Sequence, residues 1–314
     1  MKKQADPLVI PFIHLFGGVV CWSVLLLVAT INAQAQYNYT TFSVPGGEFT
    51  QANGISGNNI VGDYFIIASP YFEGFLYNGG SYTTLSVPGA ISSYASGMSG
   101  NNIVGYYQTQ SSQQGFLYNG STYTTLSVPG AVNSYASGIS GNNIVGYYES
   151  GSGNYEGFLY NGSSYTTLNV PGAINSYASG ISGNNTVGYY ESGSGNSEGF
   201  LYNGSSYLTL SVPGAQNTYA YGISGNNIVG YYIDATGIHG FLYDGNSYNT
   251  LDVPGASYTQ AYGIDGNNIV GYYETDVYGE YQSFLATPVP EPSVLWLLAG
   301  GSVTFIMRCR QVLR

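Results

Sequence analysis

The middle of the chain offers few groups for catalysis. Between Gln36 and Thr287 there are 14 carboxylates and one histidine, His239, but no lysine, arginine or cysteine. A nucleophilic triad would have to use His239, which lies in the variable stretch Ala-Thr-Gly-Ile-His-Gly-Phe. We therefore interpret His239 as a loop residue rather than a catalytic base.

Paired carboxylates are the more serious candidates, because glycan-cleaving enzymes need two acids that flank a bond. Most glutamates recur after Gly-Tyr-Tyr or before Gly-Phe, namely Glu149, Glu191, Glu274, Glu73, Glu156 and Glu198. Charged residues that recur from unit to unit more often serve solubility than catalysis, so we interpret these glutamates as solubilising surface residues. Five aspartates depart from the pattern, namely Asp234, Asp244, Asp252, Asp265 and Asp276. A calcium site among them is an alternative, but we predict no metal and no cofactor.

Tyrosine is unusually abundant, with 34 residues. Tyrosine pairs recur at 106–107, 147–148, 189–190, 231–232 and 272–273. Neighbours on a strand face opposite sides, so one ring of each pair is predicted to be core, with its hydroxyl at a blade edge. The other ring could stack on sugars, although packing is the simpler interpretation.

The charge distribution excludes several partners. The five basic residues all lie at the ends of the chain: Lys2, Lys3, Arg308, Arg310 and Arg314. A middle segment without cations cannot neutralise phosphates, which excludes nucleic-acid binding and argues against docking on anionic lipid. Both cysteines, Cys21 and Cys309, also lie in the end segments, so the middle must be held together by its core.

Internal repeats predict the fold. The proline of Val-Pro-Gly recurs at 45, 88, 129, 171, 213 and 254, and the glycine of Gly-Asn-Asn recurs with the same steps of 41 to 43 residues. Each unit contains four short β-prone runs, as in 134–140, 142–148, 157–160 and 165–170. Gly141-Asn142 marks one hairpin, and Asn161-Gly162 predicts a second with a type I′ turn. Such units match the blades of a β-propeller.

The incomplete end copies predict how the ring closes. The first copy is only a fourth strand, Tyr39 to Gly46, and the last ends after a third strand, Ser283 to Thr287. Together they make one blade, so we predict an all-β, six-bladed propeller over residues 36–287, closed by the N-terminal strand. Small residues such as Ala136 and Gly138 should lie nearest the axis, with Val, Ile, Phe and Leu packed between blades.

Variable loops predict the binding surface. The segments between second and third strands vary most and should share a face with the Val-Pro-Gly connections. The longest, Phe65 to Phe72 and Asp276 to Tyr281, belong to the first and last blades, which are neighbours in a closed ring. The residues that we select as the candidate ligand face are Tyr71, Phe72, Asp234, His239, Asp276, Tyr278 and Tyr281.

The two ends of the chain are predicted to be sorting signals. Residues 1–35 combine an early basic pair with a long apolar run and the small residues Ala33 and Ala35, which indicates a signal peptide cleaved after Ala35. An uncleaved membrane anchor is the alternative. Residues 288–314 contain Pro290, Glu291 and Pro292, then an apolar run, then Arg308 and Arg310. The apolar run predicts a short transmembrane helix with its arginines on the cytoplasmic side.

This C-terminal segment resembles the PEP-CTERM sorting signal of Gram-negative bacteria. The resemblance implies processing by exosortase, a membrane transpeptidase, in organisms that export polysaccharide and build biofilm. It leaves a plain tail anchor as the alternative. Here Cys309 interrupts the basic cluster, and the apolar run is short.

The repeats resemble HAF-type extracellular repeats of bacteria. The resemblance rests on motifs such as Ala-Tyr-Gly-Ile-Asp-Gly-Asn-Asn-Ile-Val-Gly-Tyr-Tyr followed by Gly-Phe-Leu-Tyr, and covers residues 37–287. It implies a secreted repeat protein and supplies no catalytic residues.

These observations favour a secreted, non-catalytic propeller that exosortase sorts to the cell surface. There it would be a structural or glycan-associated component of the extracellular matrix or biofilm. Its expected partners are signal peptidase, exosortase and extracellular polysaccharide, and it would meet the membrane only through its terminal segments. The alternatives are an extracellular glycan hydrolase or lyase, and a protein-binding scaffold.

Overall fold

Each repeat folds into one antiparallel sheet, and six such four-stranded sheets form the blades of a propeller. The structure is a computed structural model that describes residues 37–66, 69–193, 195–275 and 281–289. Within these ranges every regular secondary-structure element is a β-strand. The predicted all-β propeller of six blades is therefore confirmed.

The strands are numbered β1 to β24 in chain order. The first three blades contain β2 (Phe49–Ser56), β3 (Asn59–Ile66), β4 (Ser69–Tyr77) and β5 (Tyr82–Leu85); β6 (Ser92–Ser99), β7 (Asn102–Gln108), β8 (Gln113–Tyr118) and β9 (Tyr123–Leu126); and β10 (Asn133–Ser140), β11 (Asn143–Glu149), β12 (Tyr155–Tyr160) and β13 (Tyr165–Leu168). The last three contain β14 (Asn175–Ser182), β15 (Asn185–Glu191), β16 (Ser197–Tyr202) and β17 (Tyr207–Leu210); β18 (Asn217–Ser224), β19 (Asn227–Ile233), β20 (Ile238–Tyr243) and β21 (Tyr248–Thr250); and β22 (Tyr258–Asp265), β23 (Asn268–Glu274), β24 (Tyr281–Pro288) and β1 (Tyr37–Phe42).

The two hairpins of a blade differ in their turns. Ser140 pairs with Asn143, which leaves a two-residue turn at Gly141 and Asn142, with Gly141 at a φ of 59°. The second hairpin was predicted at Asn161-Gly162 between the runs 157–160 and 165–170, and its position is confirmed, but it lacks the two-residue loop that a type I′ turn connects. Tyr160 pairs with Tyr165 around a four-residue loop, 161–164. The Asn161 side-chain oxygen organises this loop by accepting the N–H groups of residues 163 and 164 at 3.0 and 2.9 Å.

The innermost strand of every blade carries a β-bulge. In β10 the pairing with β11 shifts between Ala136 and Gly138, so Ser137 is left opposite no partner. A Cβ on Gly138 would lie 2.8 Å from the carbonyl oxygen of Ser179 and 3.0 Å from Gly180 Cα in the next blade. Only a residue without a side chain permits this approach of two backbones. The predicted small residues nearest the axis are thus confirmed, and Ala136 is fully buried.

The hydrophobic core lies between adjacent blades. One cluster joins Val104 of the second blade to Ala136, Ile144 and Phe158 of the third. Equivalent clusters repeat around the ring. Each blade therefore buries its faces against its two neighbours, as the sequence predicted.

The sixth blade combines strands from opposite ends of the described chain. β1 runs antiparallel to β24, with Tyr39 opposite Ala286 and Phe42 opposite Ser283. The Ser283 hydroxyl in turn donates to the carbonyl oxygen of Thr50 in the first blade at 2.9 Å.

Several predicted features lie outside the described residues. These are the signal peptide with Ala33 and Ala35, the sorting segment with Pro290, Glu291, Pro292, Arg308 and Arg310, and both terminal helices. Among the residues that are described, no helix is long and apolar enough to span a membrane.

Replacing Gly138 by alanine should destabilise the ring, because the new methyl group would press on the backbone of the next blade. Overpacking of this kind costs roughly 1–3 kcal/mol. We expect a lower midpoint of urea unfolding, followed by far-ultraviolet circular dichroism.

Gly151→Ala is the matched control in the same blade, since a Cβ there meets nothing within 4 Å. Its midpoint should stay close to that of the unchanged protein. Equal midpoints for both variants would contradict a close backbone contact at Gly138.

Candidate functional site

A cavity of about 300 Å³ lies at the propeller axis. It is formed near the start of each innermost strand and the end of each second strand, where Tyr135 pairs with Tyr147. The N–H of Val132 donates to the carbonyl oxygen of Glu149 at 2.8 Å, so the connection between blades lies beside the end of the second strand. The cavity is therefore on the predicted ligand face.

Three positions of the repeat supply the cavity lining apart from Phe72, although not every blade uses all three. One is the residue before the bulge, another is the bulged residue, and the third follows the glycine of the second strand; in the third blade these are Tyr135, Ser137 and Tyr147. The full set of lining residues is Gln51, Asn53, Asp63, Phe72, Tyr94, Ser96, Tyr106, Tyr135, Ser137, Tyr147, Ser179, Tyr189, Tyr221 and Tyr262.

Aromatic rings surround the cavity in a continuous circuit, which we call the aromatic belt. Its members, in order, are Tyr94, Tyr106, Tyr135, Tyr147, Tyr177, Tyr189, Tyr219, Tyr231, Tyr221, Tyr262, Tyr272, Tyr281, Phe49, Phe65 and Phe72. Successive ring centroids are 4.4 to 6.0 Å apart, and Phe72 returns to Tyr94. Stacked and edge-to-face pairs alternate through the middle blades, which are the geometries that aromatic rings prefer.

The paired tyrosines divide as predicted. Tyr147 belongs to the belt, whereas Tyr148 packs against the core between blades and donates its hydroxyl to Glu156 Oε2 at 2.7 Å. The expected edge partner for the hydroxyl of the core-facing tyrosine is therefore confirmed.

The first blade interrupts the pattern with a polar group. It places Gln51, Asn53 and Asp63 where the third blade has Tyr135, Ser137 and Tyr147. Asp63 is only 5% exposed, and its Oδ1 accepts a hydrogen bond from Asn53 Nδ2 at 2.7 Å. Asn53 Nδ2 also donates to the carbonyl oxygen of Ala95 at 3.0 Å, which fixes the amide between two blades.

Burial controls the acidity of Asp63. It raises the pKa of this carboxyl to about 7, although the Asn53 hydrogen bond acts in the opposite direction. The pKa values of Tyr94, Tyr106 and Tyr272 are also raised, mainly by burial and further by the charge of Asp63. The carboxylate is thus close enough to influence three phenol groups of the belt.

Asp63 was not among the site residues predicted from the sequence. The available signal was the alignment of the repeats, because Gly-Asp-Tyr-Phe at 62–65 stands where the other units have Gly-Tyr-Tyr. The aspartates that depart from the repeat in the last two blades include Asp244, Asp252 and Asp265, which are exposed. Asp63 instead replaces an inward-facing tyrosine.

The predicted ligand-face residues do not form one site. Phe72 lines the cavity, and Tyr281 belongs to the belt and contacts Phe49 at 5.4 Å. Tyr71 is 47% exposed and does not line the cavity. Asp276 and Tyr278 lie outside the described residues.

Asp234 and His239 come together in a separate network of the fifth blade. His239 Nε2 is 2.9 Å from Thr236 Oγ1, and His239 Nδ1 is 2.8 Å from Asp252 Oδ2. This order resembles a nucleophilic triad, but the Thr236 hydroxyl also donates to Asp234 Oδ1 at 2.6 Å, and this acceptor competes with the histidine for the hydroxyl proton. Asp234 also accepts the N–H groups of Thr236 and Gly237. The network therefore ties the loop at 234–237 to β20. The interpretation of His239 as a loop residue is wrong, because His239 lies in β20 opposite Tyr232.

Several other acids are engaged in local hydrogen bonds, whereas Glu73 has one buried oxygen without a hydrogen-bond partner among the described residues. Glu149 and Glu191 accept from Asn133 and Asn175, at 2.6 and 2.7 Å. Asp244 accepts the N–H groups of its own turn. Within the described ranges, no three histidine, cysteine or acidic side chains are grouped as metal ligands.

Asp63 should make stability depend on pH. Since its pKa is 3.8 when unfolded and about 7 when folded, the folded state binds the extra proton between these values. Its contribution to stability therefore falls as pH rises through this window, by about 1.4 kcal/mol per pH unit at most. We expect Asp63→Asn, which keeps the acceptor for Asn53, to flatten the decline in urea midpoint between pH 4.5 and pH 8.

Asp265→Asn is the charge-matched control, because Asp265 is an exposed residue at the opposite end of its blade. It should retain the decline. Parallel profiles for the unchanged protein and Asp63→Asn would show that Asp63 is not the responsible group.

Comparison with known proteins identifies the fold and no family. No protein-family model and no curated protein matches the chain. The SapL1 lectin, solved in complex with alpha methyl fucoside, is 15% identical with a TM-score of 0.51, and the match covers 78% of this chain and 98% of the lectin chain. TolB from Acinetobacter baumannii is 16% identical with a TM-score of 0.50, over 74% of this chain and 65% of that one. The six-bladed Aleuria aurantia lectin is 13% identical with a TM-score of 0.46, over 81% and 99%. The similarities to SapL1 and TolB agree with the β-propeller fold.

Proposed function

We propose that this protein is a carbohydrate-binding propeller of the cell exterior, and that the axial cavity holds a sugar residue. The observation that supports this proposal is the cavity itself, which combines the aromatic belt with the polar groups of Gln51, Asn53 and Asp63. Aromatic faces stack on the apolar faces of sugars, while a few fixed polar groups select hydroxyl or amine substituents.

The cavity has a suitable size and shape for this role. Its volume of about 300 Å³ is at the lower end for small-molecule sites. Its walls come from strands whose backbones pack tightly around the axis, as at Gly138. A preformed site of this kind loses little freedom on binding. The solved lectins share the propeller fold, which supports the proposal at the level of scaffold only.

Binding rather than catalysis is the role that we propose. Glycoside hydrolysis requires two carboxyl groups on either side of the scissile bond. Asp63 is the one acidic side chain among the described residues that line the cavity. The hydrolase or lyase alternative would be established by turnover of a polysaccharide that Asp63→Asn abolishes.

Export would place this binding activity in the extracellular matrix. We propose that signal peptidase removes residues 1–35 and that exosortase processes the segment around Pro290, Glu291 and Pro292. Cleavage after Ala35 would leave β1, which begins at Tyr37, as the first element of the mature chain. We propose that its pairing with β24 then closes the ring of the exported protein, which would act as a glycan-associated component of the matrix or biofilm.

A tyrosine of the belt should be needed for glycan binding. We expect a polysaccharide from the producing cell surface to bind the full-length protein in isothermal titration calorimetry. Tyr135→Ala should weaken binding roughly tenfold, because an aromatic contact contributes about 1 kcal/mol or more.

Tyr165→Ala is the matched control. Tyr135 and Tyr165 are both half-buried in the third blade, and each contacts another tyrosine at 4.6 Å, but Tyr165 does not line the cavity. Equal losses in the two variants would place the glycan elsewhere. No binding to any surface polysaccharide would overturn the proposal.

Mass spectrometry of the protein isolated from the cell surface should test both sorting signals. The expected N-terminus is Gln36, and the expected C-terminus lies near Pro290 to Pro292. An intact chain of 314 residues in that fraction would contradict export by cleavage at either end.

A further inference from the structure

The carboxylate of Asp63 has no cationic partner in the propeller. The sequence between Gln36 and Thr287 has no lysine or arginine. Its single histidine, His239, is engaged with Thr236 and Asp252 in the fifth blade. Asp63 Oδ1 accepts one hydrogen bond, from Asn53, and Oδ2 accepts none from the described residues. A buried carboxylate in this state is costly unless a cation approaches it.

The surroundings of Asp63 favour such a cation. The aromatic belt brings Tyr94 and Tyr106 beside it as a stacked pair with centroids 4.5 Å apart. Tyrosine faces attract ammonium groups through their quadrupole, most strongly where water is excluded. One carboxylate and several tyrosine side chains line this small cavity, which is the composition of a cage for a compact organic cation.

The negative charge of the propeller domain also favours a cationic ligand. Fourteen carboxylates and no lysine or arginine between Gln36 and Thr287 produce a negative field. Such a field raises the local concentration of cationic ligands and repels anionic ones. Sulfated or uronic-acid glycans would therefore enter the cavity against this field.

We infer that the axial cavity recognises an ammonium group, and that the sugar it binds is an amino sugar with a free, protonated amine. The amine would approach Asp63, while the sugar ring would lie against the tyrosines of the belt. This inference rests on the proposed glycan binding for its sugar component, but the ammonium site itself can be tested without any glycan.

Two small ligands isolate the contribution of charge. Choline and 3,3-dimethylbutan-1-ol have nearly the same shape, but only choline carries a positive charge. In calorimetric titrations of the full-length protein, we expect choline to bind roughly tenfold or more tightly than the alcohol. Equal affinities, or no detectable choline binding, would overturn the ammonium site.

The variant Asp63→Asn should abolish this preference, whereas Asp265→Asn should preserve it. Affinity for choline should also rise between pH 5 and pH 8, because its charge is permanent and only ionised Asp63 can pair with it. A preference for choline that persists unchanged in correctly folded Asp63→Asn, judged by circular dichroism, would assign the cation to another position. The comparison of the two ligands on the unchanged protein needs no variant and remains decisive if Asp63→Asn does not fold.

Oligosaccharides of glucosamine and of N-acetylglucosamine separate the two proposals. Tighter binding of the free-amine oligomer, with loss of the difference in Asp63→Asn, supports both. Equal binding of the two oligomers without any choline binding would retain the glycan proposal and overturn the inference. Choline binding without binding of either oligomer would retain the ammonium site and overturn the amino-sugar ligand.

Discussion

The close approach of neighbouring backbones around the axis is the constraint on which the rest of the structure depends. A Cβ on Gly138 would meet Ser179 and Gly180, and equivalent glycines make the same contact from blade to blade, including the step from Gly263 to Asn53 and Gly54. This contact sets the radius of the ring. The same radius brings together the residues at the bulges and on the second strands, so the aromatic belt and its cavity follow from a packing requirement made by residues without side chains.

Repetition provides the belt, and the first blade provides its acidic group. Tyrosine at equivalent positions of successive blades yields a nearly uniform aromatic wall, which cannot orient a ligand around the axis. The first blade replaces this wall with Gln51, Asn53 and Asp63. Because the hydrogen bond from Asn53 fixes one carboxylate oxygen, Asp63 defines a direction within the site. The acidic contact therefore belongs to the first blade. The sixth blade adds a second polar departure, Gln260, whose side-chain oxygen accepts the hydroxyls of Tyr262 and Tyr272.

Much of the fold could be predicted from the sequence, since constant spacing between Val-Pro-Gly and Gly-Asn-Asn defines a strand-and-turn pattern that only a few architectures satisfy. The bulge at Ser137 could not be predicted, because it adds an unpaired residue to the strand without changing the length of the repeat. The hairpin at Asn161 was placed correctly, but its turn type was not predicted, because the side-chain oxygen of that residue stabilises a four-residue loop. Asp63 was missed because its burial depends on convergence of six blades, which a single repeat does not reveal. Asp234 and His239 were correctly recognised as departures from the repeat, but local loop hydrogen bonds account for both.

The pairing of β1 with β24 has a consequence for how the chain reaches its native state. β1 cannot pair until β24 has been synthesised, because β24 is the last strand of the described chain. The sixth blade is therefore completed by a contact between residues 37–42 and 283–288. Contacts of such sequence separation form slowly, because closure of the long intervening segment carries an entropic cost. A chain that cannot finish its ring before synthesis ends stays open for most of its passage out of the ribosome. This order of events would suit the export that we propose, because an open chain can thread through a narrow translocation channel.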